Sequence, residues 1–265
     1  MKKILFMIAF INIYFYTLSQ NVRIQYLHNF GSIEGFSQIP KGGQSNSSSI
    51  KEPTFDQLGV NHINYSKILI GFPRDNWEVY FELKNNPFKG KNRLDKVMKT
   101  HDILLPSNTK IESKNKYNFY NIGLKYSVYK NKKIEISPKI EASIFDFKYS
   151  FSAENKDKGV FILNDARNFK AGGVRVGGNI KYCFNDSFVL ISDLMMHMPY
   201  GNIKKSLECS LTLSQNIYRK SNKEINLLYG IGYDYFKFRD SQHDMQNRIE
   251  YKISPMYTIG IELKI

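Results

Sequence analysis

Cysteine is almost absent from this sequence: Cys183 and Cys209 are the only two among 265 residues. Two cysteines cannot form the disulfide framework of a small secreted scaffold, and they supply too few ligands for a zinc site. Our strand assignment puts them near opposite ends of different strands. Because a disulfide needs Cα atoms within about 7 Å, we expect no disulfide. We also expect no metal and no cofactor.

Long apolar runs are missing after residue 20, where no segment reaches the ~18 apolar residues of a membrane-spanning helix. The mean hydropathy of −0.41 is too polar for a bundle of membrane helices. The one apolar run, residues 4–16, follows Lys2 and Lys3 and precedes the small residues of Thr17-Leu18-Ser19. This pattern predicts a signal peptide over residues 1–19 that is cleaved before Gln20, and hence an exported chain.

Acidic residues are scarce: 24 Asp and Glu stand against 38 Lys and Arg, for a formal net charge of +14. Such a balance suits an anionic partner. Because the chain is predicted to be exported, we do not expect that partner to be nucleic acid. Basic residues concentrate in the segment 84–116, and outer-leaflet glycolipids carry phosphates that attract such a segment. We therefore predict contact with anionic lipid or lipopolysaccharide through Lys89, Lys91, Arg93, Lys96 and Lys99.

Alternation of apolar and polar residues dominates the rest of the chain. In "WEVYFEL", Trp77, Val79, Phe81 and Leu83 alternate with polar residues, and "IEISPKIEASI" repeats the rule at 134–144. A period of two predicts β-strands with two different faces. Ten such strands lie near residues 22–38, 59–72, 76–86, 117–129, 133–149, 169–184, 187–200, 205–218, 223–237 and 248–265. A change of parity between Ser32 and Phe36 predicts a β-bulge in the first strand.

The connections between these strands alternate in length. Short polar turns at 73–76, 130–133, 184–187 and 219–223 separate longer stretches at 39–58, 87–116, 150–168 and 238–247 and one short loop at 200–205. Transmembrane barrels show this alternation, with short turns in the periplasm and longer loops outside. We predict an all-β fold over residues 20–265, an antiparallel up-and-down transmembrane β-barrel of about ten strands, within a range of eight to twelve.

A soluble β-sandwich or lipocalin-like barrel is the competing fold, with its apolar face inward. Aromatic residues at strand ends favour the membrane, because interface girdles are aromatic. The residues that we assign to these girdles are Trp77, Tyr117, Tyr129, Tyr182, Phe184, Tyr200, Tyr218, Tyr235 and Tyr251.

The chain resembles the small outer-membrane β-barrel proteins of diderm bacteria. The resemblance rests on the leader and on the carboxy-terminal "YTIGIELKI", where Gly260, alternating hydrophobics and a hydrophobic last residue match a β-signal. Ile265 departs from the pattern, since an aromatic residue is more usual there. The resemblance implies an outer-membrane location and recognition of the last strand by the barrel-assembly machinery.

The polar face of each strand then points into the barrel. The predicted lumen-lining charges are Arg23, Glu78, Glu82, Lys125, Glu135, Lys139, Glu141, Arg175, Lys181, Asp193, Glu208, Asp234, Arg248, Glu250, Lys252, Glu262 and Lys264. A barrel of eight strands is just filled by its side chains, and clear channels open only in much larger ones. We therefore expect these charges mainly to pair with one another, with a narrow mixed-charge pore as the alternative.

Few residues suggest catalysis. Asp193 and His197 share the inward face of one strand near its outer end, but four residues separate them by about 13 Å. Asp240, His243 and Asp244 fall in one outer loop. They are either an acid/base pair, a weak metal site, or simply the polar residues of a solvent-exposed loop. With His197, Asp193, His243 and Asp240 as the only catalytic candidates, we do not expect an enzyme.

Two outer loops have further expected features. The Gly- and Ser-rich segment within 39–58 predicts a mobile tip rather than a cover over the mouth. "LDKVMKTHDILL" at 94–105 suggests a short helix on the rim. For function, we expect first a structural or interaction barrel that contacts lipopolysaccharide or an external partner. A narrow, anion-preferring diffusion channel is second, and an outer-leaflet hydrolase is third.

Overall fold

The computed structural model describes residues 21–155, 159–199, 201–221, 223–240 and 244–265, with backbone alone at 160–166. The signal peptide predicted for residues 1–19 lies outside this range. The strands are β1 (Arg23–Gln38), β2 (His62–Arg74), β3 (Trp77–Arg93), β4 (Met98–Thr100), β5 (Ile103–Leu105), β6 (Lys110–Tyr126), β7 (Tyr129–Lys130), β8 (Ile134–Asn155), β9 (Val160–Cys183), β10 (Phe188–His197), β11 (Ile203–Lys220), β12 (Lys223–Arg239) and β13 (Arg248–Lys264). No helix in the described part of the chain is long and apolar enough to span a membrane.

The ten long strands form one closed antiparallel barrel, which confirms the predicted fold. In the described residues the ring runs β6-β3-β2-β1-β13-β12-β11-β10-β9-β8, and pairing of β8 with β6 closes it. The first and last long strands are neighbours, with Arg23 opposite Lys264. Closure pairs the backbone groups of both edges, which is the condition for a sheet to cross hydrocarbon.

The two ends of the barrel differ. At one end, which we call the turn end, short connections such as Asp75-Asn76 and 184–187 join the strands, and both Arg23 and Lys264 lie there. At the other end, the loop end, the connections 39–61, 94–109 and 240–247 are longer. The alternation predicted from the sequence is therefore only partly confirmed. The stretch 150–168, predicted as a long outer loop, is mostly strand, because β8 continues to Asn155 and β9 begins at Val160.

In the middle of the barrel the side-chain distribution is the inverse of a soluble protein. Ile140 is 51% exposed on the outer surface, whereas the adjacent Glu141 is 1% exposed inside. Leu211 and Ile259 are likewise exposed, at 45% and 49%, and Thr258 is buried. Apolar side chains thus cover the outside and polar ones the inside, as in a barrel that contacts lipid. The soluble alternative requires the opposite arrangement.

Toward the loop end the apolar parity reverses, although the strands continue. On β8 the outward apolar residues are Ile140 and Ile144, but beyond them Phe145, Phe147 and Tyr149 point inward and are fully buried. The strand makes this change without a bulge between Ile134 and Tyr149. Once outside hydrocarbon, a strand gains stability by burying its apolar face inward, as soluble sheets do. We call this loop-end region, with its loops, the dome.

The dome has an aromatic core on which the strands extend further than predicted. Phe88 contacts Tyr117 with ring centroids 4.2 Å apart, and Phe145 lies 4.7 Å from Phe236. Because these rings pack inward, β3 continues to Arg93 and β6 begins at Lys110, in a segment expected to be loop. Tyr117 is consequently buried in the dome and is not a girdle residue.

The loop at 39–61 closes the dome, contrary to the mobile tip that we expected. Ile39, Phe55, Leu58 and Val60 are essentially fully buried, and Phe55 stacks on Phe88 at 5.3 Å. The backbone approaches β3 closely at Gly90, where an added Cβ would lie 2.4 Å from the carbonyl oxygen of Leu58. Apolar burial therefore makes this loop a cap.

The second outer loop completes the cap. Residues 94–105 form the β4–β5 hairpin and not the expected helix, with Met98 and Leu105 buried. Backbone hydrogen bonds join the hairpin to the first loop: the amide of Ser49 donates to Lys99 O at 2.6 Å. The amide of His101 likewise donates to Ile39 O at 3.0 Å. Together the two loops form a continuous cover.

We predict that Phe55→Ala loosens the cap while the barrel stays folded. Removing a fully buried ring costs about 3–5 kcal/mol, enough to raise the open population of the loop by about 100-fold or more. The expected result is faster trypsin cleavage at the exposed Lys51, measured by gel and mass spectrometry. Phe184→Ala, at an exposed turn-end ring, is the control. Equal cleavage rates in both variants would show that Phe55 does not hold the cap.

Candidate functional site

Buried ion pairs occupy the lumen beneath the dome. Lys67 Nζ lies 2.9 Å from Glu82 and 2.8 Å from Glu208, while Lys84 pairs with Asp234. The Arg175 guanidinium contacts Glu141 at 2.9 Å and Glu208 at 3.0 Å. We call this group the ion layer; its members are Lys67, Glu82, Lys84, Glu141, Arg175, Glu208 and Asp234.

The ion layer bridges the lumen from wall to wall. Lys67 on β2 and Glu208 on β11 are four strands apart around the ring, and so are Lys84 on β3 and Asp234 on β12. Tyr80 donates to Glu141 at 2.6 Å. Buried charges remain ionised only when they are paired and hydrogen-bonded, which fixes these side chains in place. The interior is therefore filled at this level.

An open vestibule lies between the ion layer and the turn end. Its volume is about 330 Å³, and Lys139, Asn179, Lys181 and Asp193 are among its lining residues. Lys139 binds Asp193 at 2.9 Å, and Lys181 binds Glu135 at 3.2 Å. The vestibule thus ends blindly against paired charges.

Most of the charges predicted to line the lumen do point inward. Those inside are Arg23, Glu78, Glu82, Lys125, Glu135, Lys139, Glu141, Arg175, Lys181, Asp193, Glu208, Asp234, Glu262 and Lys264. Lys67 and Lys84 are two central members that sequence reasoning missed. Lys84 lies on the same face of β3 as Glu78 and Glu82, but its position at the start of the basic segment 84–116 favours a loop residue.

Arg248, Glu250 and Lys252 are corrections, because they lie on the outer surface. Their inward neighbours on β13 are Ile249, Tyr251 and Ile253, all buried. The register of β13 shifts at Ser254-Pro255, opposite Gly31 to Ile33 of β1. This irregularity reverses parity along β13, so Tyr251 is also inside and not in a girdle. The bulge predicted for β1 between Ser32 and Phe36 is wrong in its strand: the extra residue lies in β13, and Ile33 is buried because β1 enters the dome there.

The catalytic candidates are not brought together. Asp193 binds Lys139 at 2.9 Å, while neither ring nitrogen of His197 has a hydrogen-bond partner among the described residues. The carboxylate of Asp240 accepts hydrogen bonds from Asn247. His243 lies outside the described residues. Within those described, no group of three His, Cys, Asp or Glu side chains has the geometry to hold a metal ion.

Much of the basic rim predicted to contact anionic lipid is neutralised within the dome. Lys91 pairs with Glu112 at 3.0 Å, Lys99 with Asp102 at 3.0 Å, and Lys96 with Glu52. The hydrogen bond from Lys99 lowers the pKa of Asp102, and the bond to Glu52 raises that of Lys96. Arg93 donates to Asn108 at 2.8 Å. Of the five, Lys89 alone has no such partner in the described structure.

Lys89 belongs to a second basic surface that runs across the outside of β3, β6 and β8. Lys89 lies directly opposite Lys114, and Lys116 directly opposite Lys148. All four are exposed, and within the described residues none forms an ion pair. We call Lys89, Lys114, Lys116 and Lys148 the lysine wall. Like charges directly opposite on neighbouring strands are destabilising, so the barrel on its own gains nothing from this arrangement.

We predict that Arg175→Met destabilises the barrel by about 3–5 kcal/mol, because it leaves Glu141 and Glu208 buried with less compensation. Lys91→Met, which removes an exposed pair, should change stability by under about 1 kcal/mol. Urea unfolding of both variants refolded into phospholipid vesicles measures the difference. A similar small effect for both would mean that the ion layer does not stabilise the lumen.

No protein-family model matches the chain, and no curated protein is significantly similar to it. Among solved structures, the chain is similar to the attachment invasion locus protein Ail of Yersinia pestis, crystallised with the heparin analogue sucrose octasulfate. That similarity has 9% identity, a TM-score of 0.39, and coverage of 93% of this chain and 99% of Ail. OprG of Pseudomonas aeruginosa matches at 8% identity and a TM-score of 0.40, with coverage of 93% and 96%.

The outer membrane protease OmpT of Escherichia coli matches at 11% identity and a TM-score of 0.37, with coverage of 91% and 96%. At these identities and TM-scores the similarities carry no argument about this chain. The assignment as a barrel of the membrane-spanning type rests on its own strand topology and on the distribution of its side chains.

Proposed function

We propose that this protein is a closed outer-membrane barrel that acts through its outer surface and does not conduct solutes. The observation that carries this proposal is the pair of barriers in series within the lumen. The cap buries Phe55 against Phe88, and below it the ion layer joins β2 and β3 to β11 and β12. A solute that enters from either end meets at least one of them.

The orientation follows from the connections. In barrels of this kind short turns face the periplasm and longer loops face outside. The dome then projects from the cell surface and the vestibule opens to the periplasm. We also propose that β13, which pairs with β1, is the strand that the barrel-assembly machinery recognises.

An interaction role suits the dome. Between residues 89 and 116 eight basic side chains stand against three acidic ones. The partner class that we propose is anionic: lipopolysaccharide in the same leaflet or an acidic external molecule. A channel would need both barriers to move, and a hydrolase would need a carboxylate near His197, where Asp193 is bound to Lys139 instead.

We predict that the purified full chain gives no conductance steps in planar bilayers. A variant that lacks residues 41–52 within the cap should also remain silent, because the ion layer still bridges the lumen. Heat-modifiable gel mobility confirms that both proteins are folded. Stable unitary steps from the wild-type chain would contradict the proposal, and steps only in the deletion variant would show that the cap alone closes the barrel.

A further inference from the structure

The lysine wall has a fixed height relative to the apolar surface of the barrel. On β8 the last outward apolar residue is Ile144, and Asp146 and then Lys148 follow it outward. On β6 the outward sequence is Tyr120, Asn118, Lys116. Four residues along a tilted strand correspond to about 10 Å along the membrane normal. This distance puts Lys116 and Lys148 at the level of lipid headgroups. Lys89 and Lys114 lie two residues further out, and their long side chains can reach down to the same level.

The acids on this wall do not neutralise it. Glu112 is bound to Lys91 at 3.0 Å, and Asp146 lies opposite Lys170 on β9. Glu112 also attracts Lys114 electrostatically, but its ion pair is with Lys91. Two Lys–Lys pairs side by side therefore remain without an ion-pair partner in the described structure. The cost of holding like charges opposite one another is offset if an anion with more than one negative group lies across the strands.

We propose that the lysine wall binds the phosphate groups of an outer-leaflet glycolipid from the side, within the plane of the membrane. This deepens the proposed function, on which it rests for the orientation of the barrel, and it transfers lipid recognition from the rim to β3, β6 and β8. The ligand is a phosphorylated lipid and not free phosphate. Position favours this source: the wall stands directly above the apolar surface formed by Phe81, Ile122 and Ile140, where acyl chains pack.

The test compares two fourfold variants of the full chain in detergent. K89Q/K114Q/K116Q/K148Q removes the wall, and K130Q/K132Q/K133Q/K220Q removes the same charge from exposed turn-end lysines. Binding of bis-phosphorylated lipid A is titrated by native mass spectrometry, with dephosphorylated lipid A and inorganic phosphate as probes. We expect the wall variant to bind lipid A about tenfold or more weakly than wild type does, and the turn-end variant to bind it within about twofold of wild type. Dephosphorylated lipid A should bind to wild type as weakly as lipid A binds to the wall variant.

A stability signature accompanies binding. Without lipid, the wall variant should have a higher Tm than wild type, because the opposed lysines are gone; with lipid A, wild type should become the more stable. The double variants K89Q/K114Q and K116Q/K148Q should each show smaller changes in Tm in the same directions.

Unchanged lipid A affinity in the wall variant, or displacement of lipid A by equimolar inorganic phosphate, would overturn the proposal. A conducting wild-type barrel would refute the proposed closed lumen but leave this binding result intact, so the two failures are distinguishable.

Discussion

The need to pair every backbone hydrogen-bonding group within hydrocarbon is the constraint from which the rest of this structure follows. This constraint requires the sheet to close. Pairing of β1 with β13, with Arg23 opposite Lys264, and pairing of β6 with β8 close it. Closure creates an inside that lipid cannot reach. Polar residues collect there because the outer surface must be apolar, and in so narrow a barrel the charged ones among them are accommodated as pairs.

The ion layer and the dome are two solutions to the same problem of filling an interior. At membrane depth the walls supply alternating charges, and the lumen is filled by pairs such as Lys67 with Glu208. Beyond the membrane the outside is wet, so apolar residues return to the inside, and Phe145 packs against Phe119 at 5.0 Å. The two meet where Lys84 Nζ lies 5.4 Å from the centre of the Phe119 ring. A single set of strands thus has a membrane-protein segment and a soluble-protein segment.

The sequence was sufficient to predict the strands, their number and the faces in the membrane, because alternation is a local property. It failed where the outcome depends on a distant element. The register shift at Ser254-Pro255 reverses which residues of β13 point inward. Uninterrupted alternation therefore predicts Arg248 inside, whereas it lies outside. The run Phe145, Phe147, Tyr149 carries the signal that β8 leaves the membrane, since its apolar parity is opposite to that of Ile140. Which acid meets which base depends on the shear of the barrel, which no local pattern contains.

The two native cysteines provide the most direct measurement of the inversion of faces on which this account depends. Cys209 alternates with inward Glu208 and Ser210 and so faces outward, whereas Cys183 lines the vestibule. Each is labelled with a fluorophore in a variant that lacks the other, and the protein is reconstituted in vesicles. We expect brominated acyl chains to quench the Cys209 probe and aqueous iodide to quench the Cys183 probe. The reverse pattern, with Cys209 reached by iodide and Cys183 by the brominated chains, would contradict it.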